Sequence, residues 1–433
     1  MSDLTVQPFA KPFIATLAPP GSKSLTNRAL VLAALADGTC ELSNVLFADD
    51  TRAMLDGLAK LGFGLELDEA KSIVCVQGGG GKIPNRSADL YCKNSGTTIR
   101  FLTALCTLGR GNYKLDGNER MRQRPIEALI KMLRHLGARA AYLQTEGYPP
   151  LELHADGLPG GVMSYGSEVS SQYLSAILQI APYARHEVRV DLIGQQTSWP
   201  YVAMTMQLMD HFGCTPELIR DPDTHEPKQI IVPREKYRST TYAIEPDASN
   251  ATYFLAAAAI RPGAKVTING LGKRSLQGDV GFADVLHQMG ADLVFGKDFI
   301  TIAGTDRLEG IDVDLLAMPD TAQTLAVVAL FAKSPTTLRG LHSLRVKETD
   351  RVAALASELQ KLGAKVEING DDLVIHPPTN ITPASIATYD DHRMAMSFAI
   401  AGTRATGVTI EDIECTNKTY PNFFQDLERL RQS

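Results

Sequence analysis

A chain of 433 residues is too long for one ordinary domain, so two large domains, each with its own core, are expected. Its formal net charge of -6 on an ordinary globular composition excludes a general nucleic-acid or membrane-surface binder, and any anion site must be built from local clusters of Lys and Arg. The six cysteines, at 40, 75, 92, 106, 214 and 415, form no CxxC pair and have no histidine at metal-ligand spacing, so they read as packed thiols in a reducing cytoplasm. The first residues lack a basic segment followed by an apolar core, and no later run approaches the ~20 apolar residues of a membrane span; a soluble, unsecreted, cytoplasmic protein is expected.

The first chemically loaded stretch is Pro20-Gly-Ser-Lys-Ser-Leu-Thr-Asn-Arg28. Gly21 permits a tight turn, Ser22 or Ser24 can cap the helix that follows, and the helix N–H groups with Lys23 and Arg28 favour a phosphate or carboxylate. Taken alone, the stretch fits a serine-capped helix with two solvated cations equally well. It is not a P-loop, because GxxxxGK[ST] needs Gly directly before Lys, and the Gly78 to Gly81 run reads as a hairpin turn. Asn94-Ser-Gly-Thr-Thr-Ile-Arg100 repeats the design of the first corner, with Gly96 allowing close ligand approach. Arg120, Arg122 and Arg124 then form either a solvated loop or a bidentate clamp for phosphate or carboxylate.

Ser170-Ser171-Gln172 opens a third apolar helix with groups suited to a phosphorylated or polyhydroxylated ligand. Thr197-Ser198-Trp199-Pro200-Tyr201 sets the sole tryptophan beside hydroxyls, and Asp221 to Pro227 reads as a surface hairpin tip. Further on, Pro319-Asp320-Thr321 starts a buried helix with a carboxylate suited to act as a base or hydroxyl ligand. Arg345-Val-Lys347-Glu348-Thr-Asp350-Arg351 introduces a helix and places Glu348 and Arg351 on adjacent turns of one face, where salt bridging alone is the simpler account. Val366 to Ile375 reads as two strands joined by a Gly/Asp turn. Asp391-His392-Arg393 opens another apolar helix, and Lys418 follows near the end; a metal on Asp391 and His392 lacks further ligands at a convincing spacing.

Two series of repeats order these stretches. The pattern apolar-x-x-apolar-Gly, expected of a helix C-cap leading into a strand, ends at Gly62, Gly137, Gly213, Gly290 and Gly363, 73 to 77 residues apart. A degenerate sixth copy lies at Leu427 to Leu430. In step with it run six helices apolar on nearly every face, starting near Ser22, Ser95, Ser170, Asp247, Asp320 and Asp391; such helices must be buried. Six units divide into two domains of three, with chain crossings at Pro19 to Gly21 and within Ser239 to Glu245. The expected fold is α/β (α+β), with residues 21–240 as one domain and residues 1–20 plus 241–433 as the other. If the buried helices run parallel, their N-termini converge, and the cations Lys23, Arg28, Arg100, Arg124, Lys347, Arg351, Arg393 and Lys418 face a cleft between the domains.

The motifs Pro-Gly-Ser-Lys-Ser from Pro20, Asn-Ser-Gly-Thr from Asn94, Arg-Gln-Arg-Pro from Arg122, Ser-Ser-Gln from Ser170, Pro-Asp from Pro319, Arg-Val-Lys-Glu-Thr-Asp-Arg from Arg345, Asp-His-Arg-Met-Ala-Met from Asp391 and Lys-Thr from Lys418 resemble, in order and over essentially the whole chain, the EPSP synthase (3-phosphoshikimate 1-carboxyvinyltransferase) family. The resemblance implies the enolpyruvyl transferase, or inside-out barrel, fold: two similar domains, each of three βαβαββ units around buried parallel helices, with the active site between them. It implies transfer of the enolpyruvyl group of phosphoenolpyruvate to the 5-hydroxyl of shikimate 3-phosphate, releasing phosphate through a tetrahedral intermediate.

By the same resemblance Asp320 is the proton acceptor, Glu348 the proton donor and Lys23 a third catalytic group. Shikimate 3-phosphate would be held by Lys23, Ser24, Arg28, Ser170, Ser171, Gln172, Ser198, Tyr201, Asp320 and Lys347. Phosphoenolpyruvate would meet Lys23, Asn94, Gly96, Arg124, Gln172, Arg351, Arg393 and Lys418. No metal or organic cofactor is implied. The partners implied are the two substrates and glyphosate as inhibitor, with no nucleic acid and no membrane, and the chain is expected to act as a monomer. Two positions depart from the family pattern: Ser343 stands where Asn is usual, and Phe101 where Pro is common. Of the rival readings, the UDP-N-acetylglucosamine enolpyruvyl transferases carry Lys-Asn where this chain has Lys23-Ser24, and a loop cysteine that Arg120 to Arg124 lacks. A non-catalytic binder of phosphometabolites would not need both Asp320 and Glu348.

Overall fold

The computed structural model describes residues 2–166 and 170–433 and divides into two compact units, Gly21–Ile244 and Met1–Pro20 with Glu245–Ser433. The helices of the Gly21–Ile244 unit are α1 (Lys23–Leu35), α2 (Asp49–Lys60), α3 (Gly96–Cys106), α4 (Glu127–His135), α5 (Gln172–Ile180) and α6 (Trp199–His211). Those of the other unit are α7 (Ala248–Ala259), α8 (Phe282–Gln288), α9 (Ala322–Ala329), α10 (Arg351–Lys361), α11 (His392–Arg404) and α12 (Phe423–Gln432).

The second, third and fifth repeats fold as strand, buried helix, strand, amphipathic helix and two further strands. In the second repeat, Ser87–Tyr91 lies parallel to Arg110–Asp116, which pairs antiparallel with Leu151–Asp156, itself antiparallel to Ala140–Tyr142. Parallel neighbours cannot be joined by a hairpin, and α3 is the crossover between them. The third and fifth repeats follow the same order, with α5 and α9 as crossovers.

The first and fourth repeats borrow their parallel edge strand from elsewhere in the chain. Thr241–Ala243 lies beside Asp37–Ser43 and completes the sheet of the first repeat. This pairing carries the Gly21 unit to Ile244 rather than to 240. Ile14–Leu17 completes the sheet of the fourth repeat against Lys265–Asn269. Leu4–Thr5 adds an antiparallel edge to Val408–Ile410 in the sixth, which has three strands among the described residues.

Within each unit the three crossover helices pack on one another, α1 with α3 and α5, and α7 with α9 and α11. Every residue of α3, α7, α9 and α11 from Gly96, Ala248, Ala322 and His392 is buried, apart from Arg404 at the end of α11. That accounts for sequences apolar on all faces. By contrast α4 buries only Leu129, Ile130, Met132 and Leu133, one stripe of an amphipathic helix.

The repeated glycines are all left-handed, with φ of 91°, 95°, 89°, 112° and 95° at Gly62, Gly137, Gly213, Gly290 and Gly363. In each copy the residue after the glycine donates to the carbonyl of the motif's first residue, as from Phe63 to Leu58 at 3.1 Å and Ala364 to Leu359 at 3.1 Å. The pattern is therefore a Schellman cap, and its two apolar residues turn the chain back onto the core.

Two local expectations need correction. Gly78 and Gly79 are strand residues paired with Gly38 and Asp37, not a hairpin turn. A Cβ at Gly78 would lie 2.2 Å from the Ala36 carbonyl oxygen, so glycine there lets the strand pass the end of α1. The third buried helix starts at Gln172 with Ser171 at its cap position, in line with the expected start near Ser170. Glu348 precedes α10 instead of lying on it, because Asp350 caps the helix by accepting from Val352 and Ala353 N–H. Among the described residues, no helix is long and apolar enough to cross a membrane.

Candidate active site

In the Gly21–Ile244 unit the expected residues gather around the starts of α1, α3, α5 and α6. Ser22 caps α1 by accepting from Leu25 N–H, which leaves Lys23 at the helix's first position. Its Nζ lies 3.2 Å from Oδ2 of Asp50 on α2, and the Asp50 carbonyl accepts from the Thr98 hydroxyl at 3.0 Å. The starts of three helices are tied together through that one aspartate.

Arg28 is 1% exposed, and its guanidinium spans three helices. It donates to the Ser24 carbonyl at 2.9 Å, Thr205 Oγ1 at 2.7 Å, Ser175 Oγ at 3.2 Å and the Tyr201 carbonyl at 3.3 Å. Burial pushes its pKa down to about 10, with Tyr201 working in the other direction. Phe101 presents its ring 5.3 Å from the Arg28 Cζ, so the departure from proline is taken up as a cation–π contact inside a regular α3.

Arg124, 3% exposed, donates from NH1 to the Asn94 carbonyl at 3.0 Å and to Asn94 Oδ1 at 3.2 Å. A Cβ at position 96 would come within 2.5 Å of Arg124 NH2 and 3.1 Å of Arg100 NH1, so Gly96 is what lets both guanidinium groups approach the start of α3. Arg100 NH1 donates to Gln172 Oε1 at 2.6 Å and fixes the amide of the Ser170-Ser171-Gln172 turn. Ser198 has a left-handed backbone, with φ of 54°, at the start of α6, and its carbonyl accepts from Tyr201 N–H at 3.0 Å.

The second cluster lies wholly in the other unit, at the starts of α9, α10 and α11. Asp320 sits in the 3-10 turn Pro319–Thr321 ahead of α9. Its Oδ1 is 3.3 Å from both Lys347 Nζ and Arg351 NH1, and its Oδ2 is 3.1 Å from Arg393 NH2. Glu348 takes Arg351 NH2 at 2.9 Å and lies 3.7 Å from Lys418 Nζ. Six expected residues, spread from 320 to 418, are thus joined in one chain of ion pairs. Ser343 is 2% exposed in the turn His342–Val346 beside Lys347, and its Oγ has no hydrogen-bond partner among the described residues.

Burial works against the Arg351 charge, but Asp391, Glu348 and Asp320 more than restore it and raise its pKa. For Lys347 the balance is reversed: burial lowers its pKa, and Asp320 offsets only part of the effect. Asp50 and Asp391 were absent from the expected site. As paired or capping acids at helix starts they carry no signal in sequence beyond an ordinary macrodipole preference.

A sequence model of the family described as EPSP synthase (3-phosphoshikimate 1-carboxyvinyltransferase) matches residues 10–427. The chain belongs to the EPSP synthase family. It is 44% identical to the 3-phosphoshikimate 1-carboxyvinyltransferase of Vibrio vulnificus (strain YJ016), over 100% of both chains. It is 46% identical to that of Sulfurovum sp. (strain NBC37-1), over 95% of each. Among solved structures, an EPSP synthase from Acinetobacter baumannii superposes with a TM-score of 0.81 at 27% identity, covering 99% of this chain and 98% of that one. The six-repeat topology is thus that of solved EPSP synthases.

Proposed function

We propose that the chain transfers the enolpyruvyl group of phosphoenolpyruvate to the 5-hydroxyl of shikimate 3-phosphate. The single observation that carries the assignment of roles is the ion-pair chain from Lys347 and Asp320 through Arg351 and Arg393 to Glu348 and Lys418. It joins an acid–base pair of carboxylates to cations suited to a phosphate and a carboxylate.

Asp320 accepts the hydroxyl proton as the substrate oxygen attacks C2 of phosphoenolpyruvate, and Glu348 delivers a proton to the methylene carbon. The tetrahedral intermediate then loses phosphate while the Glu348 carboxylate takes back a methyl proton, so the double bond re-forms as the enol ether of the product and the proton held by Asp320 leaves with the phosphate. Arg351, Arg393 and Lys418, with Arg124, Asn94, Gly96 and Gln172, hold phosphoenolpyruvate; in binding it they exchange protein acceptors for its charged groups. Lys347, Ser24, Arg28, Ser170, Ser171, Gln172, Ser198, Tyr201 and Asp320 hold shikimate 3-phosphate, and Lys23 serves both substrates. Arg28 does so chiefly by fixing α1, α5 and α6, since its donors already have acceptors on those helices. The chain acts as a monomer, and glyphosate competes for the phosphoenolpyruvate groups.

The test is phosphate release with each substrate alone and with both. Release only with both is expected, and release with UDP-N-acetylglucosamine in place of shikimate 3-phosphate would sink the assignment. Asp320→Ala and Glu348→Gln are expected to lose turnover by orders of magnitude while still binding shikimate 3-phosphate.

A further inference from the structure

Glu358 lies on α10 with 0% exposure, and it accepts three donors: Lys361 Nζ at 2.7 Å, Ala387 N–H at 3.0 Å and the Tyr389 hydroxyl at 2.7 Å. A carboxylate buried this deeply is tolerated only when its oxygens are satisfied. Two of the three donors belong to the loop that joins the strand Ala384–Ile386 to α11. In that loop Tyr389 and Asp390 are successive left-handed residues with side chains, φ 57° and 54°. Each costs about 1 kcal/mol or more, so the loop persists only if its surroundings hold it.

The loop closes with Asp391 N–H on the Thr388 carbonyl at 2.9 Å. It delivers Asp391 to Arg351 at 2.7 Å and starts α11 so that Arg393 reaches Asp320 at 3.1 Å. Helix α10 therefore grips both ends of the loop. Arg351, in its first turn, takes Asp391, and Glu358, about two turns further on, takes Ala387 and Tyr389.

We propose that Glu358 is a positioning residue for the phosphoenolpyruvate-binding arginines: through Ala387 and Tyr389 it fixes the strained loop that aims Asp391 at Arg351 and Arg393 at Asp320. The inference rests on the assignment of Arg351 and Arg393 to phosphoenolpyruvate. It makes no claim on shikimate 3-phosphate, and that asymmetry is what separates positioning from a general role in stability.

The test measures KM for each substrate in the parent chain, Tyr389→Phe and Glu358→Gln. Tyr389 is 42% exposed, so removing its hydroxyl leaves the fold in place. Glu358→Gln is expected to raise KM for phosphoenolpyruvate about tenfold and Tyr389→Phe by a smaller factor, with KM for shikimate 3-phosphate unchanged within about twofold. Adding Asp391→Asn to Glu358→Gln is expected to lose less than the product of the two single losses, since both act on one loop. KM for phosphoenolpyruvate unchanged in Tyr389→Phe, or both KM values rising by one factor, would overturn the proposal. If Glu358→Gln does not fold, Tyr389→Phe decides it alone. Parent turnover in the same series separates failure of this proposal from failure of the underlying functional assignment.

Discussion

Arg351 meets Asp391 through two nitrogens, Nε to Oδ2 at 2.7 Å and NH2 to Oδ1 at 3.1 Å, with the two side chains 1% and 0% exposed. Asp391 also caps α11 by accepting from Arg393 N–H at 2.9 Å. Asparagine can still cap but cannot neutralise. Asp391→Asn is therefore expected to lose about 3 kcal/mol of stability in urea unfolding, because a buried guanidinium is left without its main counter-charge. A loss below about 1 kcal/mol would show that Glu348 and Asp320 suffice to balance Arg351.

The repeats were legible because their signals are local. A Schellman cap is written in five consecutive residues, and a buried crossover helix in a dozen, so position and spacing reveal both. The partner of Asp37–Ser43 was not legible: Thr241–Ala243 lies some two hundred residues away, and nothing in three residues states which edge they join. The same holds within the site. Lys347, Arg351 and Arg393 stood out as cations at helix starts, whereas Asp50 and Asp391 act through side-chain contacts that only packing defines. Gly78 and Gly79 misled because a glycine run signals permissiveness without saying whether a turn or a close backbone approach uses it.

Gly96→Ala is expected to act on one substrate. The new methyl would sit 2.5 Å from Arg124 NH2 and 2.9 Å from its Cζ, and the guanidinium is the part that can move. Its displacement breaks the bonds to Asn94 at 3.0 and 3.2 Å. KM for phosphoenolpyruvate should rise about tenfold or more, with melting temperature little changed, because alanine suits the first helical position. An unchanged KM would mean that Arg124 does not hold this substrate.

At the far ends of α7 and α11, two arginines cap each other's helix. Arg261 NH2 donates to the Thr403 carbonyl at 2.6 Å, and Arg404 NH1 donates to the Ile260 carbonyl. Both cations meet the negative end of a helix dipole, with the Arg404 bond part-buried. Arg261→Ala and Arg404→Ala should each cost about 1 kcal/mol in chemical unfolding and leave kcat unchanged. A fall in kcat would mean that the packing of these helices controls the site at their opposite ends.

Lys347 is expected to give the activity an alkaline limit. Burial lowers its pKa, and Asp320 restores only part of the loss, so it gives up its proton at lower pH than an exposed lysine. Between the folded and unfolded pKa values the unfolded chain binds more protons. This group's contribution to stability therefore rises with pH across that window, and its burial is most costly below it. If Lys347 holds shikimate 3-phosphate as proposed, binding runs the other way, since its cation disappears as pH rises. KM for shikimate 3-phosphate should climb on the alkaline side, at lower pH than the titration of exposed lysines. Lys347→Arg keeps the charge throughout and should move that rise to higher pH, even if its absolute KM is poorer because the guanidinium is larger. KM measured against pH in both proteins decides the matter: a rise at the same pH in Lys347→Arg would assign the limit to another group.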